Sequence, residues 1–144
     1  MTERTARDLA LLGAALVLLG LLTRLASGGM ANPRMGLSSH LAAMMGGTLL
    51  LALAAVWHWV RLSPGLDRLT FWLLVYANFA NWAATLLAAI WGAGATSMPI
   101  AAGTSRAAGW QEGLVMALLI SLSLAMIAAL ALVIKGLLAG RKAG

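Results

Sequence analysis

The chain of 144 residues has no cysteine. That excludes disulfides, thiolate metal sites and thiol nucleophiles. Acids are scarce as well, four Asp plus Glu against ten Lys plus Arg. Three of the acids, Glu3, Asp8 and Asp67, fall in polar flanking segments, which leaves Glu112 alone elsewhere. No carboxylate pair is placed for acid–base work, and there is no phosphate-binding glycine loop and no nucleophile elbow. The first apolar run holds no acid either, whereas a small multidrug transporter of this length would be expected to carry one.

Apolar sequence is what fills the chain. Hydrophobic residues make up 62%, charged residues 10%, and the mean hydropathy is +0.92. The charges cluster and leave long clean runs between them, the pattern of membrane helices. The net charge of +6 sits beside these runs and forms no separate basic patch. It therefore reads as membrane orientation, with no nucleic acid partner. The first run is too long for a signal peptide and lacks a small-residue cleavage site, so it counts as a true span.

The fold class that follows is an all-α integral membrane protein, a four-transmembrane-helix bundle forming one domain over residues 1–144. The spans are expected at about 9–26, 33–60, 69–91 and 110–138. SGGMAN (27–32) is a tight loop, RLSPGLDR (61–68) a polar turn, and Gly92–Gly109 the longest loop. Four spans put both termini on one side. Arg4, Arg7, Arg61, Arg68, Lys135, Arg141 and Lys142 share that side, against Arg24, Arg34 and Arg106 on the other. The positive-inside rule then makes both termini cytoplasmic, in a bacterial-type inner (plasma) membrane.

The stretch NPRMGLSSHLAAMMGG (32–47) carries the most chemical information. Asn32 is a helix cap, and Pro33 stands where a missing N–H costs nothing. His40 follows, roughly 9 Å further along the helix than Arg34. An ionisable side chain at that depth marks a functional site by default. Gly36, Ala43, Met44 and Gly47 share its face. Two readings stand for these small residues: room for a flat ligand such as a porphyrin with His40 as axial iron ligand, or close helix packing. His58 lies roughly 27 Å along the same helix, too far to join His40 on one iron. Between Trp57 and Trp59 it reads as an interfacial anchor.

In the third span Asn78, Asn81 and Thr85 form one stripe with Trp82 beside it. The stripe either bonds helices together or lines a cavity. Glu112 opens the fourth span on the His40 side. It favours the positive helix end, orients His40 through the other ring nitrogen, or assists proton transfer. Ser121 and Ser123 bond back to their own helix.

The segments NPRMGLSSHL (32–41), ANFANWAATLLAAIWGAG (77–94), SMPIAA (97–102) and QE (111–112) resemble hydroxylaminobenzene mutase and, more distantly, the styrene oxide isomerases. The resemblance spans nearly the whole chain. It implies conversion of an aryl hydroxylamine to an aminophenol, ferric haem b as Lewis acid held by His40 as metal ligand, and a trimeric membrane assembly. Gly36, Ala43 and Gly47 would line the cofactor. Asn81, Asn78, Thr85 and Glu112 would be the catalytic groups, with Trp82 and Met44 against the small aromatic substrate. Two positions depart from the epoxide isomerases: Gly46 and Thr85 stand where those carry a pocket asparagine and a pocket tyrosine. Aryl epoxide isomerisation is accordingly the alternative reaction. A transporter or assembly subunit without chemistry is the alternative of a different class.

Overall fold

The computed structural model describes residues 2–141. It is built of α1 (Thr2–Ala26), α2 (Pro33–Val56), α3 (Pro64–Trp91), the short α4 (Pro99–Ala102) and α5 (Gly109–Arg141), with no strand among the described residues. Four of these, all but α4, are long and apolar enough to cross a membrane. Three of the expected spans sit inside them; the second, 33–60, runs past the end of α2 at Val56 through a 3-10 turn at Trp57–Trp59, and Lys142 lies outside the described residues.

The helix starts follow their local chemistry. Asn32 Oδ1 accepts from the backbone N–H of Arg34 and Met35 at 3.1 and 3.2 Å, with Pro33 at the first helical position. Its Nδ2 donates to the carbonyls of Ala101 and Ala102 at 3.0 and 3.2 Å, and its backbone N–H reaches Ala89 O at 2.9 Å. One side chain thus ties the start of α2 to α4, while its own backbone ties it to the end of α3. The third helix begins earlier than expected, because Ser63-Pro64 is itself a start signal. The polar turn is correspondingly short, and Asp67 belongs to the first turn of α3. At α5, Gln111 Oε1 reaches back to Ala108 N at 2.9 Å, half of a capping box.

The seam between α1 and α2 is made of small residues. A Cβ placed on Gly20 would stand 2.8 Å from Ala43 Cβ, and one on Gly47 2.6 Å from Gly13 O. Neither distance is available to a real side chain, so the two backbones are in direct contact there. Next in the arc, α2 packs on α3 and α3 on α5, while α5 makes no seam with α1 or α2. Among the described residues the four long helices are therefore arranged as an open arc. Ile120, Leu124, Ile127 and Ile134 of α5 are all more than half exposed.

At the end that holds the chain termini, Trp57 is fully buried and its Nε1 donates to Asp67 Oδ1 at 3.0 Å. Thr5 Oγ1 donates to Asp67 Oδ2 at 2.9 Å. Trp57 is thus a core residue and not part of an aromatic belt, because Asp67 gives its indole N–H a buried partner. Trp59 and His58 are exposed, their rings 4.5 Å apart.

Asn32→Ala is expected to lower stability by about 2 kcal/mol or more, since a cap alone contributes about 1 kcal/mol and two further donations are lost. Asn32→Asp keeps the cap without those donations and should fall between the two. Thermal unfolding in detergent measures both.

Candidate functional site

His40 sits on α2 where α1 comes closest. Its Nδ1 lies 2.8 Å from Gly20 O. A carbonyl oxygen only accepts, so Nδ1 carries the hydrogen and Nε2 keeps its lone pair. The contact exists because Gly20 has no side chain: a Cβ there would meet Ala43 and stand 3.2 Å from His40 O. The imidazole is half-buried and flanked by the exposed Leu37 and Leu41.

Around it the helices are cross-linked. Ser39 Oγ donates to Trp82 O at 3.0 Å, which couples α2 to α3. Trp82 Nε1 donates to Thr23 Oγ1 at 3.0 Å, which couples α3 to α1, and Thr23 passes the chain on to Leu19 O at 2.8 Å. Thr85 Oγ1 lies 2.7 Å from Asn81 O and 3.0 Å from Trp82 O. Gly20, Thr23 and Ser39 were not singled out by the sequence reading. Their signal was present in the seven-residue spacing of Gly13, Gly20 and Ser27 along α1.

The small residues beside His40 settle between their two readings. The room left by Gly36, Ala43 and Gly47 is filled by α1: Ser27 lies against Gly36, Gly20 against Ala43, and Gly13 with Val17 against Gly47. Within one chain these three line the α1–α2 seam, which is the close-packing reading of the two. The free side of His40 is the outer face of α2. On the following turns of α2, Met44, Met45, Thr48, Leu49 and Ala52 border a shallow apolar concavity of about 440 Å³ that His40 itself does not line.

The α3 stripe divides. Asn78 is buried, donates to Leu74 O at 2.8 Å, and abuts Gly46, where a Cβ would stand 2.6 Å from Asn78 Oδ1. The α2 position that lacks the pocket asparagine is thus the one that Asn78 occupies from across the seam. Thr85 spends its hydroxyl on backbone carbonyls. Asn81 is half-buried, and among the described residues its amide has no hydrogen bond. Asn78 faces α2 and Ala88 clusters with Val115 of α5. Asn81 projects between these two directions, away from the α1 side that His40 adjoins. Within one chain the expected catalytic side chains therefore do not converge on the imidazole.

Glu112 does not orient His40. Its carboxylate accepts from the amides of Gly94 at 3.0 Å, Ala95 at 3.2 Å and Thr96 at 3.4 Å. Gly92 and Gly94 have φ of 70° and 119°, which lets the loop turn these amides toward α5. Gly20 O fills the orienting role at His40. Among the described residues no three His, Cys, Asp or Glu side chains gather to hold a metal ion. One imidazole suits a cofactor that brings its remaining ligands with it.

A model of the styrene oxide isomerase family matches residues 5–138. The chain belongs to that family. It is 52% identical over 132 residues to hydroxylaminobenzene mutase HabB of Ectopseudomonas oleovorans, covering 92% of this chain and 80% of the relative. Hydroxylaminobenzene mutase HabA of the same organism is 44% identical over 126 residues, covering 88% and 93%. No solved structure matches. The chain is an enzyme of the isomerase class, which sets aside a transporter or assembly subunit without chemistry.

Gly20→Ala is expected to push α1 from α2 and break the Gly20–His40 bond. Overpacking of this kind costs about 1–3 kcal/mol, and isomerase activity should fall about tenfold or more. Gly20→Ala combined with Ala43→Gly should recover part of that loss. Activity measured beside thermal unfolding separates the local effect from misfolding.

Proposed function

We propose that this protein isomerises aryl hydroxylamines such as hydroxylaminobenzene to aminophenols, moving the hydroxyl from nitrogen to the ring. It does so as a multi-pass inner-membrane protein with cytoplasmic termini, an orientation supported by the Lys and Arg distribution. The observation that carries the reading is the fixed imidazole of His40, Nδ1 tied to Gly20 O and Nε2 left open. It stands in a chain 52% identical to a hydroxylaminobenzene mutase.

The residues present fit haem b. A single neutral imidazole, held by a carbonyl on its other nitrogen and open to an apolar outer face, is the donor that a haem iron takes. Ferric haem b held there would supply a Lewis acid, suited to weakening an N–O bond without net oxidation or reduction. His40 would hold the iron, and Gly20 O would raise the basicity of its imidazole and fix the plane of the ring. Ser39, Trp82 and Thr23 hold the three helices in register around it. Leu37, Leu41 and Met44 offer apolar contacts to an arene and exclude water.

Asn81 is the amide available to hydrogen-bond the N–H or O–H of the hydroxylamine. Asn78 and Thr85 act by holding the α2–α3 seam and the backbone at Asn81. Since His40 and Asn81 look away from each other, the site is completed across subunits of a homo-oligomer, a trimer in this reading. The exposed apolar faces of α2 and α5 support such an assembly. Glu112 secures the loop over the outer ends of the helices.

A second reading, aryl epoxide isomerisation to an arylacetaldehyde, is favoured by the description of the matching family. Gly46 and Thr85 weigh against it.

Purified protein incubated with phenylhydroxylamine, and separately with styrene oxide, distinguishes the two by product. Aminophenol formation is expected to dominate. The wild type should show a Soret band, and His40→Ala should lose both that band and the activity. A colourless yet fully active wild type rules out the haem; arylacetaldehyde as the main product establishes the second reading.

A further inference from the structure

At the opposite end of the helices from the outer loop, the first turns of α1 and α3 open a cavity of about 310 Å³. It is bordered by Arg4, Asp8, Asp67, Arg68, Phe71 and Trp72. Its charges do not cancel by direct contact. Asp67 is only 5% exposed, and its two oxygens accept from neutral donors, the Trp57 indole and the Thr5 hydroxyl. No Lys or Arg among the described residues comes within ion-pair distance of it. The ion pair found among those residues is Arg4 Nε with Asp8 Oδ2, at 4.0 Å and largely exposed. A buried carboxyl group with no cation within ion-pair distance is costly. Arg68 is exposed on the same rim. Trp72, one turn along α3 from Arg68 and 60% exposed, packs edge-on against Phe71 at 5.2 Å. That is the placement of an aromatic at the boundary between headgroups and acyl chains.

We propose that this cavity binds the headgroup of a zwitterionic aminophospholipid, phosphatidylethanolamine in chemical class. Its primary ammonium faces Asp67 and Asp8, its phosphate faces Arg68 and Arg4, and its acyl chains descend past Phe71 and Trp72. Two cations and two acids on one rim select this chemistry. A purely anionic headgroup would set its phosphate against the two carboxyl groups with nothing to match them. A quaternary ammonium has no N–H to donate to Asp67. The proposal rests on the membrane placement given above and is independent of the haem and of the substrate.

The test is lipid retention in native mass spectrometry. Protein is taken from nanodiscs holding equal parts of phosphatidylethanolamine, phosphatidylglycerol and phosphatidylcholine. The wild type is expected to retain phosphatidylethanolamine about two- to fivefold over either other lipid, the scale of one partly exposed ion pair. Asp8→Asn should lower that preference in favour of phosphatidylglycerol, and Arg68→Gln should lower retention of phosphatidylethanolamine itself. Both variants leave Asp67 and its bond to Trp57 in place, so retained isomerase activity reports that they are folded. Equal retention of the three lipids overturns the proposal. So does a preference for another lipid, or phosphatidylethanolamine retention that either variant leaves unchanged. A protein that stays soluble without detergent would sink the membrane placement itself; one that needs detergent but shows no preference sinks only the lipid site.

Discussion

The rest of the structure depends on the contact of one carbonyl with one imidazole. Gly20 O is part of a helix, and a helical carbonyl keeps a second lone pair beyond its backbone bond. His40 Nδ1 takes that lone pair at 2.8 Å. This requires the two helix axes to be close, which requires a residue without a side chain on α1 and small ones on α2. Gly20 against Ala43 and Gly13 against Gly47 meet the condition on one side of the histidine, and Ser27 against Gly36 meets it on the other. The seam and the tautomer are therefore one feature: a wider seam would leave the imidazole free to rotate and to protonate on either nitrogen.

The same seam explains the open arc. In a bilayer the lipid chains are as apolar as leucine, so helices associate through close packing and hydrogen bonds and not through hydrophobicity as such. The α1–α2 pair has the small residues. The α3–α5 pair has the Tyr76 hydroxyl 2.6 Å from Ser121 Oγ and the Trp91 ring 5.3 Å from Trp110. Nothing comparable joins α5 to α1, and the arc stays open. Its outer surfaces are apolar and exposed, and the outer face beside His40 is one of them.

Much of this was legible in the sequence, and the exceptions share a cause. Asn32 and Pro33 announced their cap because capping is local, and apolar run length announced four long helices because a span is a matter of length. Helical spacing also put His40, Gly36, Ala43 and Gly47 on one face correctly. It could not say what that face meets, and the structure puts α1 there. Trp57 looked interfacial by its neighbours His58 and Trp59; its partner Asp67 comes from the next helix, and only folding reveals it. Glu112 does stand in the first turn of α5, as one of its readings had it, but the amides it accepts from belong to a loop sixteen to eighteen residues away, which helix position alone does not reveal. Ser63-Pro64 is different: the start signal was local and was passed over for the charges around it.

Committed donors narrow what the site can do. Ser39, Thr23, Trp82, Thr85 and Asn78 each give their hydrogen to a neighbouring oxygen within the fold. Near this level of the helices the uncommitted groups are the lone pair of His40 Nε2 and the amide of Asn81. Among the described residues this set places no general base beside a nucleophile. An isomerisation asks for less. It adds no water to its substrate and needs no electron supplied. Rigid cross-linking of the three helices then serves to hold one ligand in one orientation and to keep the surrounding apolar space dry.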